Sequence, residues 1–304
     1  MKAIVAAKAG PPDVLQLREV EKPRPKRNEV LIRTHAATVT SGDVMLRSLP
    51  ALLWIPMRLF FGLRRKRIQG QDFAGEVEAV GNDALLFSKG DQLFGTTIGS
   101  SSGSYAEYVC LPEDGVLAAK PANMTYEEAA AVPFGALAAL HFLREGNIQD
   151  GQKALINGAS GGVGTYAVQL ARHFGAEVTG VCSTANLEWV KSLGADRVID
   201  YTQEDFTEGR EHYDLIFDAV GKSSYPEAKK VLAADGKYVT VSKGQAKERT
   251  EDLVFLKKLV EAGEIRAVID RRYPLEQIAD AHRYVEKGHK KGNVIITIES
   301  DAKV

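Results

Sequence analysis

Lys153-Ala154-Leu155-Ile156-Asn157-Gly158-Ala159-Ser160-Gly161-Gly162-Val163-Gly164 is the stretch whose reading decides the fold. An apolar run of strand length enters a glycine-rich turn, and the turn opens a helix. On that helix Val163, Ala167, Leu170, Ala171 and Phe174 fall on one face, at steps of four, three, one and three. The motif is Ala159-x-Gly161-x-x-Gly164, one methyl away from GxGxxG. Such a pattern is weak alone and gains weight from the strand before it and the helix after it. Gly161 lets a pyrophosphate approach the backbone with no Cβ in the way, and Gly164 permits close packing of helix on strand. The helix N-terminus then offers free N–H groups and a positive dipole to phosphates.

Downstream, strands are expected over 177–182, 197–199, 215–219 and 237–241, alternating with helices over 186–193 and 224–233. Short β-branched strands alternating with helices of about ten residues make a parallel, doubly wound α/β sheet of Rossmann type. Upstream, Thr125 followed by Glu127 and Glu128 starts a helix through an alanine-rich stretch, with acids at the positive end of its dipole. Before about residue 120 the rhythm differs. Short runs at 4–6, 30–33, 76–80, 92–95 and 105–111 are separated by turn clusters such as Gly10-Pro11-Pro12-Asp13 and Lys89-Gly90-Asp91, the pattern of a mostly β, barrel-like lobe. The tail, with a strand near Val268, a helix over 275–286 and a strand over 294–298, is expected to return to that lobe. The division is therefore 1–120 with 263–304 against 121–262.

The second strand of the α/β part ends in Val181-Cys182-Ser183-Thr184-Ala185-Asn186, with no acid before Glu188. Enzymes that use NAD place a carboxylate about 20 residues beyond the glycine motif, on the ribose 2′-hydroxyl. A carboxylate there would repel a 2′-phosphate, whereas the hydroxyls and amide of Ser183 and Asn186 could hold one, so NADPH is the expected cofactor. The same two residues could equally cap the next helix.

Lys and Arg number 39 against 40 Asp and Glu, for a net charge of −1, which gives no electrostatic reason to expect nucleic acid. The two cysteines, Cys110 and Cys182, are far apart and make neither a disulfide framework nor a CxxC pair, so a reducing, cytoplasmic setting is expected. The N-terminus lacks the pattern of a signal peptide, and no apolar run reaches the roughly 18 to 20 residues that span a bilayer. Residues 46–67 mix Leu52, Trp54, Ile55, Phe60 and Phe61 with Arg58, Arg64, Arg65, Lys66 and Arg67. They read either as a lid over an apolar pocket or as a peripheral membrane contact.

Ordered matches along nearly all 304 residues carry a family likeness. They include Pro23-x-Pro25-x-x-x-Glu29-Val30, Gly70-Gln71-Asp72-Phe73-Ala74-Gly75, Gly103-Ser104-Tyr105-Ala106-Glu107-Tyr108, Ala131-Val132-Pro133, Leu193-Gly194-Ala195-Asp196, Phe217-Asp218-Ala219-Val220-Gly221 and Gly292-Asn293-Val294. The chain resembles the zinc-free quinone oxidoreductase branch of the medium-chain dehydrogenase/reductases. The resemblance implies a GroES-like barrel domain beside the Rossmann domain, with NADPH in the cleft between them. It implies a nicotinamide near Ser41, Asp43 and Val132, phosphates on Ser160, Gly161, Gly162, Val163 and Gly164, and an adenosine end near Ser183, Asn186 and Tyr201. Val220 and Ser242 would lie under the ribose or nicotinamide, and Lys291 would approach phosphate.

Zinc-dependent relatives carry a Cys and a Gly-His-Glu motif where this chain has Ser41 and Gly70-Gln71-Asp72, so no metal is expected. Without a Lewis acid, hydride transfer suits acceptors that delocalise the incoming charge: quinones and other small apolar conjugated carbonyls. Ser41, Asp43 and Gln71 are the catalytic candidates, and none is singled out as proton donor. An enoyl or alkenal reductase, or a catalytically weak NADPH-binding protein with a structural or regulatory role, is the alternative. Relatives usually have a longer segment before the Glu251 helix, with a strand that pairs across a homodimer, and the short polar stretch 242–250 weakens the homodimer expectation without removing it. Gly99-Ser100-Ser101-Ser102-Gly103 formally fits the hydrolase motif GxSxG, but a strand-like run follows it where a nucleophile elbow needs a helix.

Overall fold

A first group of strands, β1 (Lys2–Ala6), β2 (Leu15–Glu19), β3 (Glu29–Val39), β4 (Asp72–Val80), β5 (Gln92–Thr96), β6 (Tyr108–Pro112) and β7 (Leu117–Ala119), precedes an alternating β/α series. The series contributes β8 (Lys153–Asn157), β9 (Glu177–Cys182), β10 (Arg197–Asp200), β11 (Tyr213–Asp218) and β12 (Leu232–Thr240), and the chain closes with β13 (Ile269–Pro274) and β14 (Asn293–Thr297). This computed structural model describes residues 1–6, 8–50, 53, 68–100, 102–244 and 246–299. It falls into two units, Met1–Phe134 with Ile269–Val304, and Gly135–Val268.

In the first unit, β1 and β2 form a hairpin pair, and a mixed sheet runs β13-β14-β3-β4-β5-β7 with β6 also on β3. β3 extends to Val39, well past the run at 30–33 that its β-branched residues announce. Ala36 and Ala37 have little strand propensity, yet β3 pairs with β4 on one side and β14 on the other at these positions, so tertiary pairing overrides propensity. Val30, Ile32, Phe73, Val77, Leu93 and Val109 make one core cluster of this unit, and Ile4, Val39, Tyr105, Ile278, Val285 and Ile296 belong to a second. The helix Ile278–Glu286 presents Ile278, Ala281, His282 and Val285 on its buried face, at the spacing of a single helical stripe.

The second unit holds a five-stranded sheet in the order β10-β9-β8-β11-β12, parallel throughout. In order of appearance this is 3-2-1-4-5, which reverses between β8 and β11, and open α/β sheets bind ligands at such a switch point. Among the described residues no strand stands between Thr240 and Thr250, so β12 ends the sheet.

Several local expectations are revised. The alanine-rich helix is two helices, Tyr126–Ala130 and Pro133–Glu145. Thr125 caps the first with a reciprocal box to Glu128, and Pro133 opens the second, where its missing N–H costs nothing. The helix over 224–233 shrinks to Tyr225–Ala228 plus a 3₁₀ turn, because Leu232 leaves it to pair with Tyr213. The helix Ser41–Ser48 is not signalled by any apolar period, but Thr40-x-x-Asp43 is a capping-box pattern. Of the stretch 46–67, residues 51, 52 and 54–67 lie outside the described residues, as does Ser101 of the GxSxG match.

Candidate functional site

The glycine turn leaves the carboxyl end of β8 at the switch point. Gly158 takes φ 81°, a left-handed conformation that a side chain strains to reach, and a Cβ there would meet Val220 Cγ1 at 2.4 Å. Its N–H and that of Ala159 both donate to Val181 O at 3.0 Å, which ties the turn to β9. At Gly164 a Cβ would sit 2.1 Å from Gly158 O, so glycine there is demanded by the protein's own packing. At Gly161 a Cβ would meet nothing among the described residues closer than Gly158 O, at 3.4 Å. Internal packing therefore does not require glycine at 161, and the open space above it fits the backbone approach of a pyrophosphate. The helix Gly164–His173 has no side-chain cap at its N-terminus. Its first N–H groups and dipole face that turn, the arrangement that receives phosphate. Ser160, Gly162 and Val163, partly exposed, complete the loop.

Across the switch point, Asn157 Nδ2 donates to Asp218 Oδ1 at 3.1 Å, joining the ends of β8 and β11. Asp218 has no exposed surface and accepts from the backbone N–H groups of Val220, Gly221 and Ser223 at 3.2, 3.0 and 2.9 Å. Its charge is spent on folding the 219–223 turn, which presents Val220 at 43 % exposure. Ser242 lies beside this turn, its hydroxyl 3.0 Å from that of Thr240.

At the end of β9, Asn186 is 8 % exposed, and its Nδ2 donates to Ser183 Oγ at 3.1 Å and Ser160 Oγ at 3.3 Å. Its Oδ1 is buried with no partner among the described residues. Neither Ser183 nor Asn186 makes a side-chain cap on the elements it precedes, so the capping alternative is not what these side chains do. A buried, unpaired acceptor beside two hydroxyls fits the sugar end of a dinucleotide. Tyr201 stands 56 % exposed just after β10.

The remaining candidates belong to the first unit. Thr40 Oγ1 accepts from Asp43 N at 3.1 Å, while Asp43 Oδ2 accepts from Thr40 N at 2.9 Å and from Thr40 Oγ1 at 2.7 Å. Asp43 is thus a buried capping residue. Ser41, in the first turn of the same helix, is exposed. Gln71 is close by, since a Cβ at Gly42 would meet Gln71 Nε2 at 2.9 Å. Val132 is fully buried, and Lys291 N donates to Asp270 Oδ2 at 2.9 Å. Asp72, absent from the catalytic candidates that the motif supplies, is 1 % exposed and accepts from Thr38 Oγ1 at 3.0 Å and Phe134 N at 3.2 Å. Its sequence signal is the acid that closes the Gly70-Gln71-Asp72 motif. Among the described residues no group of three or more His, Cys, Asp or Glu is placed to hold a metal ion, and no helix is long and apolar enough to cross a membrane.

Comparison with known proteins agrees with this architecture. The model for an alcohol dehydrogenase GroES-like domain matches residues 26–121, and that for a zinc-binding dehydrogenase matches residues 162–279. The chain is 34 % identical to the 2-methylene-furan-3-one reductase of Solanum lycopersicum, over 97 % of this chain and 79 % of that protein. It is 32 % identical to the chloroplastic NADPH-dependent alkenal/one oxidoreductase of Arabidopsis thaliana, with the same coverage. The solved quinone oxidoreductase of Coxiella burnetii superposes with a TM-score of 0.88 at 28 % identity, covering 98 % of this chain and 99 % of that one. With both halves matched and its glycine turn at the switch point, the chain belongs to the quinone oxidoreductase branch of the medium-chain dehydrogenase/reductase superfamily.

Proposed function

We propose that this chain is an NADPH-dependent reductase of small conjugated carbonyls, quinones or α,β-unsaturated aldehydes and ketones. The observation that carries the reading is the open space above Gly161, at the uncapped N-terminus of the helix Gly164–His173. When bound, NADPH supplies hydride from its nicotinamide. The chain's own contribution is to hold the pyrophosphate on that turn, seat the ribose end at Ser183 and Asn186, and orient the acceptor.

Ser41 and Gln71 stand where the zinc-dependent pattern has Cys and His, and a hydroxyl and an amide are poor zinc donors. An acceptor that spreads incoming charge over a conjugated system needs no Lewis acid, which supports the zinc-independent reading. Of the candidates, Asp43 is engaged as a helix cap, so Ser41 and Gln71 are the polar side chains better able to meet an acceptor. A relative named for alkenal/one reduction and a structural neighbour named for quinones bracket the substrate class. The two free, buried thiols suit a reducing compartment such as the cytoplasm.

The test is anaerobic oxidation of NADPH, followed by nicotinamide absorbance, with a benzoquinone and an alkenal offered separately. Turnover of either is expected, and their ratio identifies the preferred class. Tight NADPH binding with no turnover across a panel of both classes would overturn the enzymatic reading in favour of a cofactor-binding regulatory protein.

A further inference from the structure

The second strand of the Rossmann unit ends without an acid, yet the fold brings one to that place from the neighbouring strand. Parallel register sets Asp200, the last residue of β10, opposite Cys182, the last residue of β9, and Tyr201 N donates to Cys182 O at 3.1 Å. Asp200 is 8 % exposed. Its Oδ1 accepts from Thr202 N at 3.0 Å and Thr202 Oγ1 at 2.7 Å, and its Oδ2 accepts from Thr184 Oγ1. These donors, the Thr184 hydroxyl foremost, hold the carboxyl below its ordinary range, so it is anionic at neutral pH.

The ribose 2′ substituent of a dinucleotide lies at the end of the second strand of such a sheet. Here that is the Cys182-Ser183 position, so the Asp200 carboxylate sits beside it, one strand away. Three consequences follow for a 2′-phosphate. The carboxylate opposes its negative charge. The Thr184 hydroxyl proton, which could otherwise be donated to phosphate, is committed to Asp200. The buried Oδ1 of Asn186, without a partner among the described residues, is an acceptor, which suits a 2′-hydroxyl and not a phosphate oxygen.

We propose that Asp200 is a specificity-determining residue that limits the preference of this chain for NADPH, leaving a site that also accepts NADH. The inference rests on the dinucleotide-binding reading above and goes beyond it. It is tested by direct binding, without any acceptor, of NADPH and NADH to the full chain by nicotinamide fluorescence, for the wild type and for Asp200→Asn. The neutral amide is expected to raise the ratio Kd(NADH)/Kd(NADPH) by about fivefold or more, with the larger rise at low ionic strength. Asp200→Ser, which keeps a hydroxyl acceptor for Thr184, is expected to move the ratio the same way and serves if the amide variant fails to fold. A ratio unchanged within about twofold in a folded variant, or equal weakening of both cofactors, overturns the role of Asp200 while leaving the dinucleotide site intact. Failure of the wild type to bind either cofactor overturns the dinucleotide reading itself.

Discussion

Arg47 and Glu286, 239 positions apart, form an ion pair in which the guanidinium side chain is 1 % exposed and the carboxylate side chain 34 %. Arg47 Nε also donates to Gly10 O at 3.1 Å, and its Nη2 to Ser48 Oγ at 3.2 Å, while its Nη1 is buried without a partner among the described residues. The pair ties the helix Ser41–Ser48 to the helix Ile278–Glu286 within the first unit. Removing one member leaves a buried cation uncompensated, which is costly where the pair itself contributes little. Because Glu286 is a third exposed, water recovers part of that cost. Glu286→Ala is expected to lower stability by about 1–2 kcal/mol, read from urea denaturation.

The two motif glycines should separate packing from binding. Gly164→Ala places a Cβ against Gly158 O and is expected to destabilise the chain by about 2 kcal/mol or more. Gly161→Ala meets no such obstacle, so its thermal midpoint should stay near wild type while affinity for NADPH falls about tenfold or more. Calorimetry and cofactor titration on both variants check the contrast. Equal loss of stability in the two would contradict the reading of Gly161.

His282 should make the first unit acid-sensitive. Its ring has no exposed surface and, among the described residues, no hydrogen-bond partner at either nitrogen, and it packs edge-on to Tyr105 at 5.9 Å. Burial, with the Arg47 charge second, pushes its pKa down to about 3. Since the folded value lies below the ordinary 6.5, the unfolded chain binds the extra proton first. Stability is therefore full above the ordinary value and lost as pH falls toward the folded one, by up to about 1.4 kcal/mol per pH unit. His282→Phe should flatten the fall in denaturation midpoint across that window. An unchanged slope would show that other groups govern it.

The thiols should be inert in the folded chain. Burial pushes Cys110 up to about 12, with Glu29 adding to it, and pushes Cys182 up to about 11, with Asp200 adding to it. Both stay protonated at mildly alkaline pH, and the thiolate is the reactive form. Labelling by a thiol-specific reagent at about pH 8 is expected to be slow for the native chain and fast, at two sites, in guanidinium. Rapid native labelling of Cys182 would mean that the end of β9 opens readily.

Much of this protein was legible in its residues, because the features concerned are local. The strand, glycine turn and helix across 153–174 follow from apolar period and from backbone conformations open to glycine, and β8 and β9 occupy the ranges their residues announce. Parallel alternation then dictates the sheet class. Tertiary structure alone decided the rest. Ala36 and Ala37 are strand because two neighbours pair with them, the buried cation of Arg47 is neutralised by a carboxylate from the far end of the chain, and Asp43 is consumed by a cap. Above all, reading the end of β9 for an acid finds none, while register with β10 delivers Asp200 to it. Strand order and register bring together residues far apart in sequence, and no local period or propensity encodes which ones will meet.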